Sequence, residues 1–90
     1  MADLYQPKVL EGAITMELHG FLSKMRAALP LAEDLENEEF TLGRVLLEMG
    51  IPSVAVERAF VNDSLVNMTH RLQVGDKVIL FPLTIDEGSI

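Results

Sequence analysis

The residue pair Asn62-Asp63, set between two apolar runs, constrains the fold of this chain more than any other feature. Both residue types tolerate the left-handed backbone that a tight β-turn requires. The runs on either side contain Val, Phe and Leu, which are common in strands. The sequence therefore predicts a β-hairpin over residues 60–66.

A further strand is predicted shortly after the two strands of the hairpin. Gly75-Asp76 is typical of a turn, and the residues that follow it are mostly apolar up to position 83. Alternation places Val78 and Leu80 on one side of this strand, whereas Ile79, Phe81 and Leu83 fall on the other side. Because both sides are apolar, we expect the strand to lie inside a sheet and not at its edge.

The rest of the chain predicts one more strand and one main helix. Residues 13–18 alternate as a half-buried strand does. In residues 41–50, Thr41 is a suitable N-cap, an apolar stripe recurs at helical spacing, and Gly50 supplies the exit. Residues 21–29 also have helical spacing, which fits either a short helix or a packed loop.

Length and composition predict one small domain that carries its own core. The chain has 90 residues, which suffices for a single core. We assign residues 13–83 to the domain, residues 1–12 to a flexible lead-in and residues 84–90 to a flexible tail. No apolar run is long enough to cross a membrane, and the N-terminal segment lacks the features of a secretion signal, so the expected location is the cytoplasm.

Charge and residue types exclude several classes of function. The net charge of −7 disfavours binding to nucleic acid and makes a basic protein partner more plausible. The absence of cysteine removes disulfides, thiolate zinc sites and thiol nucleophiles. The acidic run over residues 33–39 fits a solvated loop before a short strand better than a docking patch for a basic partner or a weak cation site.

Candidate catalytic residues are few. His19 and His70 have no Ser, Cys or second His at a recognisable catalytic spacing, and their positions are typical of surface or turn residues. Phosphate-binding loops, metal-ligand signatures and nucleophile elbows do not occur in the sequence. We therefore predict no enzymatic activity, no metal site and no cofactor.

The order of the predicted elements gives an α+β roll, in which one main helix packs across a mixed sheet. Two motifs of this chain, Val61-Asn62-Asp63 and the Leu-x-x-Gly-Asp-x-Val segment over residues 72–78, follow the Thr-Leu-Gly-Arg-Val-Leu-Leu-Glu-Met-Gly helix. Together they resemble the ubiquitin-like β-grasp sulfur carriers of molybdopterin and thiamine biosynthesis, the MoaD and ThiS family. The resemblance covers residues 13–83 and implies the β-grasp fold.

The resemblance also implies a function for the C-terminus. In that family an E1-like enzyme adenylates the carboxylate of a terminal Gly-Gly tail, which becomes a thiocarboxylate and delivers sulfur to a synthase. This chain ends in Glu87-Gly88-Ser89-Ile90, with one glycine instead of two. Sulfur carriage would therefore take place at Gly88 after trimming, with an E1-like adenylating enzyme and a synthase subunit as partners.

The atypical tail leaves a second hypothesis open. A β-grasp domain that has lost the transferable tail would serve as a non-catalytic binding module or an accessory subunit for an unidentified protein partner. The interface predicted for either role lies near the last strand, where Phe81, Pro82 and Leu83 are candidate apolar anchors. Ordinary packing of the core and of the strand end accounts for these three residues equally well.

Overall fold

Five strands and one α-helix make up the regular structure of the described residues, which are residues 7–25, 28–36 and 40–83 of a computed structural model. The elements are β1 (Lys8–Glu11), β2 (Thr15–Leu18), α1 (Leu42–Met49), β3 (Val56–Val61), β4 (Ser64–Val66) and β5 (Lys77–Pro82). Short 3-10 helices span Gly20–Lys24, Asp34–Glu36 and Ser53–Ala55. The predicted tail over residues 84–90, including Gly88, lies outside the described residues.

The strands form one mixed sheet in the order β1-β2-β5-β3-β4. The last strand, β5, pairs in parallel with β2 and antiparallel with β3, so it lies inside the sheet as predicted and occupies its centre. The strand pairs β1–β2 and β3–β4 are antiparallel and lie on either side of it. This order, with one main helix, is the predicted α+β β-grasp architecture.

Helix α1 has the start, stripe and end that the sequence predicts. The Thr41 hydroxyl accepts a hydrogen bond from the Arg44 backbone N–H at 3.3 Å, and Gly50 ends the helix with a φ of 80°. The apolar stripe of the helix is buried in the core, and its residues are Leu42, Val45, Leu46 and Met49. Inward side chains of the strands and several residues between the elements complete this core, among them Met16, Leu18, Leu22, Leu72, Val78 and Leu80.

The two sequence motifs of the last third contact each other through side-chain hydrogen bonds. Asn62 and Asp63 have φ values of 51° and 72°, as in the type I′ turn of a hairpin. The Asn62 amide donates to Asp76 Oδ1 at 2.9 Å and accepts from the Lys77 backbone N–H at 3.0 Å. Asp76 Oδ2 also accepts from the Gln73 N–H at 2.8 Å. We call this group of hydrogen bonds the turn clip.

The predicted lead-in over residues 1–12 was wrong for residues 8–11, which form β1. This strand has only four residues, too few for its alternation to stand out in the sequence. It pairs along its whole length with β2, whose backbone would otherwise present an open edge. Partner strands, more than local sequence, therefore determine this element.

Other segments are shorter than the sequence predicts. The strand predicted over residues 13–18 begins at Thr15, and the helical spacing of residues 21–29 corresponds to a 3-10 helix over Gly20–Lys24. Of the acidic run, residues 33–36 are described and form a turn that includes the 3-10 helix Asp34–Glu36. In place of the short strand predicted next, the described residues before α1 contain an isolated bridge between Thr41 and Arg71.

Candidate functional site

The outer face of the sheet, which lies opposite the core, carries a row of side chains that crosses all five strands. Strand register aligns them in the order Val9, Glu17, Ile79, Phe60 and Leu65. Their neighbours along each strand point inward, because successive side chains of a strand alternate. Val9 and Leu65, at the two ends of the row, are 49% and 64% exposed. Four of the five side chains in this row are apolar.

An aromatic cluster extends this row toward the C-terminal end of β5. The Phe81 ring stacks on His19 with centroids 4.5 Å apart, and Phe60 meets it edge-on at 5.9 Å. A bulge in β3 between Val56 and Arg58 brings Arg58 opposite Phe81, and its guanidinium carbon lies 5.1 Å from the ring centroid. The Phe81 ring is consequently half-buried.

Charged groups flank the aromatic cluster. The Glu17 carboxylate contacts His19 Nε2 at 2.5 Å, which places an anionic group beside the stacked imidazole. Arg58 places a cation on the neighbouring strand β3, on the other side of Phe81. The outer face thus has an apolar centre with an acidic and a basic group beside it, an arrangement typical of protein interfaces.

The three predicted interface residues occupy different environments. Phe81 belongs to the aromatic cluster of the outer face. Pro82 packs against Gly20, where an added Cβ would lie 2.6 Å from Pro82 Cγ, so the chain after β2 is in close contact with Pro82. The Leu83 N–H donates to the Ala55 carbonyl at 2.8 Å, while its side chain is 49% exposed. Their role in partner binding stays a prediction.

The two histidines lie in separate parts of the fold. His19 follows β2 and stacks on Phe81. His70 follows β4, an edge strand of the sheet, and its carbonyl accepts a hydrogen bond from the Leu42 N–H at 2.7 Å. Across the described ranges, no group of three or more His, Asp or Glu side chains is arranged to hold a metal ion.

Most of the outer face was not predicted as a site. Alternation in β5 placed Ile79 and Phe81 on one side, but the partners of these residues depend on strand order. Val9 lies in the segment assigned to a lead-in, and Arg58 is brought opposite Phe81 by a bulge. The row can be identified only when the pairing of all five strands is known, because the alternation within each strand then shows which residues lie side by side on the outer face.

No helix in the described ranges has the length and apolar character needed to cross a membrane.

Comparisons with known proteins identify the family. The search of curated proteins gave no match. The search of solved structures gave no match either. Residues 9–86 match the family model described as Mut7-C ubiquitin, which agrees with the ubiquitin-like resemblance and with the β-grasp sheet. Because this match covers most of the sequence, the chain belongs to the Mut7-C ubiquitin family.

Proposed function

We propose that this domain is a protein-binding module that docks on a folded partner through the outer face of its sheet. The observation that carries the proposal is the aromatic cluster of Phe81, Phe60 and His19, covered on one side by Arg58. Aromatic residues and arginine supply most of the energetically important positions in protein interfaces. The other apolar side chains of the row, Val9, Ile79 and Leu65, provide further contact area on the same face.

The charges suggest the chemistry of the partner. Its surface would have an apolar centre, a basic group to meet Glu17 and an acidic group to meet Arg58. The net charge of −7 would accelerate association with a partner that is basic overall. This role needs no catalytic residue in the chain, in agreement with the prediction that it is not an enzyme.

Site-specific photocrosslinking in the source cells tests the proposal. A photoreactive amino acid would replace Leu65, which is 64% exposed on the outer face, or Leu47, which is 73% exposed on α1. We expect a discrete adduct from position 65 and none from position 47. The adduct should be lost when Arg58→Ala is added. Adducts that form equally from both positions, or only from position 47, would contradict docking through the outer face.

Sulfur carriage at Gly88 is the second candidate, supported by the two motifs that the chain shares with the MoaD and ThiS family. After trimming, an E1-like enzyme would join the Gly88 carboxylate to AMP with release of pyrophosphate from ATP. A sulfide donor would then displace AMP and leave a thiocarboxylate. A synthase would be the acceptor of the sulfur. The expected cytoplasmic location fits both candidate functions.

The intact mass of the protein from its own cells tests sulfur carriage. A chain that ends at Gly88 and has exchanged one oxygen for sulfur is the expected carrier. A homogeneous chain that still ends in unmodified Ile90 would argue against it. Deletion of residues 84–90 separates the two candidates, because outer-face crosslinking should survive this deletion whereas sulfur transfer should not.

A further inference from the structure

An open groove lies on a different part of the domain, between the β1–β2 turn and residues 29–32. Its volume is about 470 Å³, and most of its lining is apolar. The lining includes Leu10, Gly12, Ala13, Leu29, Pro30 and Leu31. We call this feature the turn groove. Pockets of this size accommodate one or more large side chains of a ligand.

Two details show how the turn groove is formed. An added Cβ on Gly12 would lie 3.1 Å from Leu29 Cδ1, so the absence of a side chain at this position lets Leu29 pack closely against the β1–β2 turn. Leu31 belongs to the same wall as Leu29 and is 62% exposed. Its backbone N–H donates to Asp34 Oδ2 at 3.0 Å, and this bond fixes the wall relative to the following turn.

Carboxylates line and follow the turn groove. Glu11 contributes directly to its lining. Glu33 and Glu36 are exposed and lie just beyond Ala32, the last lining residue on this side. Leu35, between them, is only 3% exposed and anchors this acidic turn on the core. The acidic turn that follows the groove wall in the chain is therefore held in place by a buried leucine.

We propose that the turn groove binds a linear peptide in which an apolar anchor is flanked by lysine or arginine. The apolar lining would receive the anchor, and the carboxylates of Glu11, Glu33 and Glu36 would attract the basic residues. A free terminus or an extended segment of a partner protein has this chemistry. The groove does not include the outer-face row, so this inference does not depend on the proposed function.

Selection from a random peptide library displayed on phage tests the inference with the intact chain as bait. We expect enriched peptides to contain at least two basic residues beside Leu, Met or an aromatic residue. Leu31→Gln should weaken their binding about tenfold or more. Leu47→Gln is the matched control, since Leu47 is as exposed but lies on α1, and it should leave binding unchanged.

Charge is tested with two double variants of equal net charge. Glu33→Gln with Glu36→Gln should weaken binding and reduce its dependence on salt, whereas Glu48→Gln with Glu57→Gln should have neither effect. Enrichment of acidic peptides, binding that is insensitive to Leu31→Gln, or failure to enrich any peptide would overturn the inference. Circular dichroism of each variant confirms that it is folded before its affinity is compared.

Discussion

Replacement of Asn62 by alanine should destabilise the domain by about 2–3 kcal/mol. The substitution removes the hydrogen bonds of the Asn62 amide to Asp76 Oδ1 and to the Lys77 N–H. Each contributes about 0.5–1 kcal/mol, at the lower end of the usual range because both are exposed to solvent. The φ of 51° adds about 1 kcal/mol, since alanine enters the left-handed region less readily than asparagine.

Thermal and urea unfolding, followed by circular dichroism, measure this loss. For a domain of this size, 2–3 kcal/mol corresponds to a decrease in Tm of roughly 10–20 °C. Asn62→Gly separates the two contributions, because glycine accepts the positive φ but makes no side-chain bonds. It should cost about 1–2 kcal/mol.

Asp63→Gly is the matched control within the same turn. The Asp63 φ of 72° suits glycine, so this variant should be as stable as the original chain or slightly more stable. If Asn62→Ala and Asp63→Gly changed the free energy of unfolding equally, the turn clip would have no special role. An Asn62→Gly variant as stable as the original chain would show that its hydrogen bonds contribute nothing.

Three further substitutions test the core, the chain after β2 and the helix cap. Leu80→Ala should cost about 2–5 kcal/mol in urea unfolding because this side chain is fully buried, whereas Leu47→Ala, on the exposed side of α1, should cost less than about 0.5 kcal/mol. Gly20→Ala should cost about 1–3 kcal/mol in the same assay, since the φ of Gly20 is 58° and the new Cβ would overlap Pro82. A Tm equal to that of the original chain would contradict this packing. Thr41→Ala should lower the free energy of unfolding by about 1 kcal/mol. If Thr41→Ser keeps the original stability and Thr41→Val does not, the loss is due to the hydroxyl cap.

The elements that the sequence predicted correctly are those with strong local signals. Asn62-Asp63 has the backbone preferences of its turn, and the interval from Thr41 to Gly50 contains the cap, stripe and exit of one helix. The strand β5 was predicted to lie inside the sheet because it is apolar on both sides, and it does so. In each case the information lies within about ten residues of the element itself.

The features that the sequence did not predict depend on residues far apart in the chain. Val9 lies in a short segment without a clear pattern, and only its pairing with Glu17 places it in the outer-face row. The link between the two family motifs is also non-local, because Asn62 and Asp76 are 14 positions apart. Each motif was recognised separately, but only the strand register brings their side chains together.

The central position of β5 has a consequence for folding during synthesis. The β1–β2 and β3–β4 pairs emerge from the ribosome first, yet neither pair is a neighbour of the other in the sheet. Both must wait for residues 77–82 to supply the strand that joins them. A nascent chain that stops before Lys77 therefore exposes two inner strand edges, to which chaperones or other chains have access. The domain can complete its sheet only after β5 has left the exit tunnel.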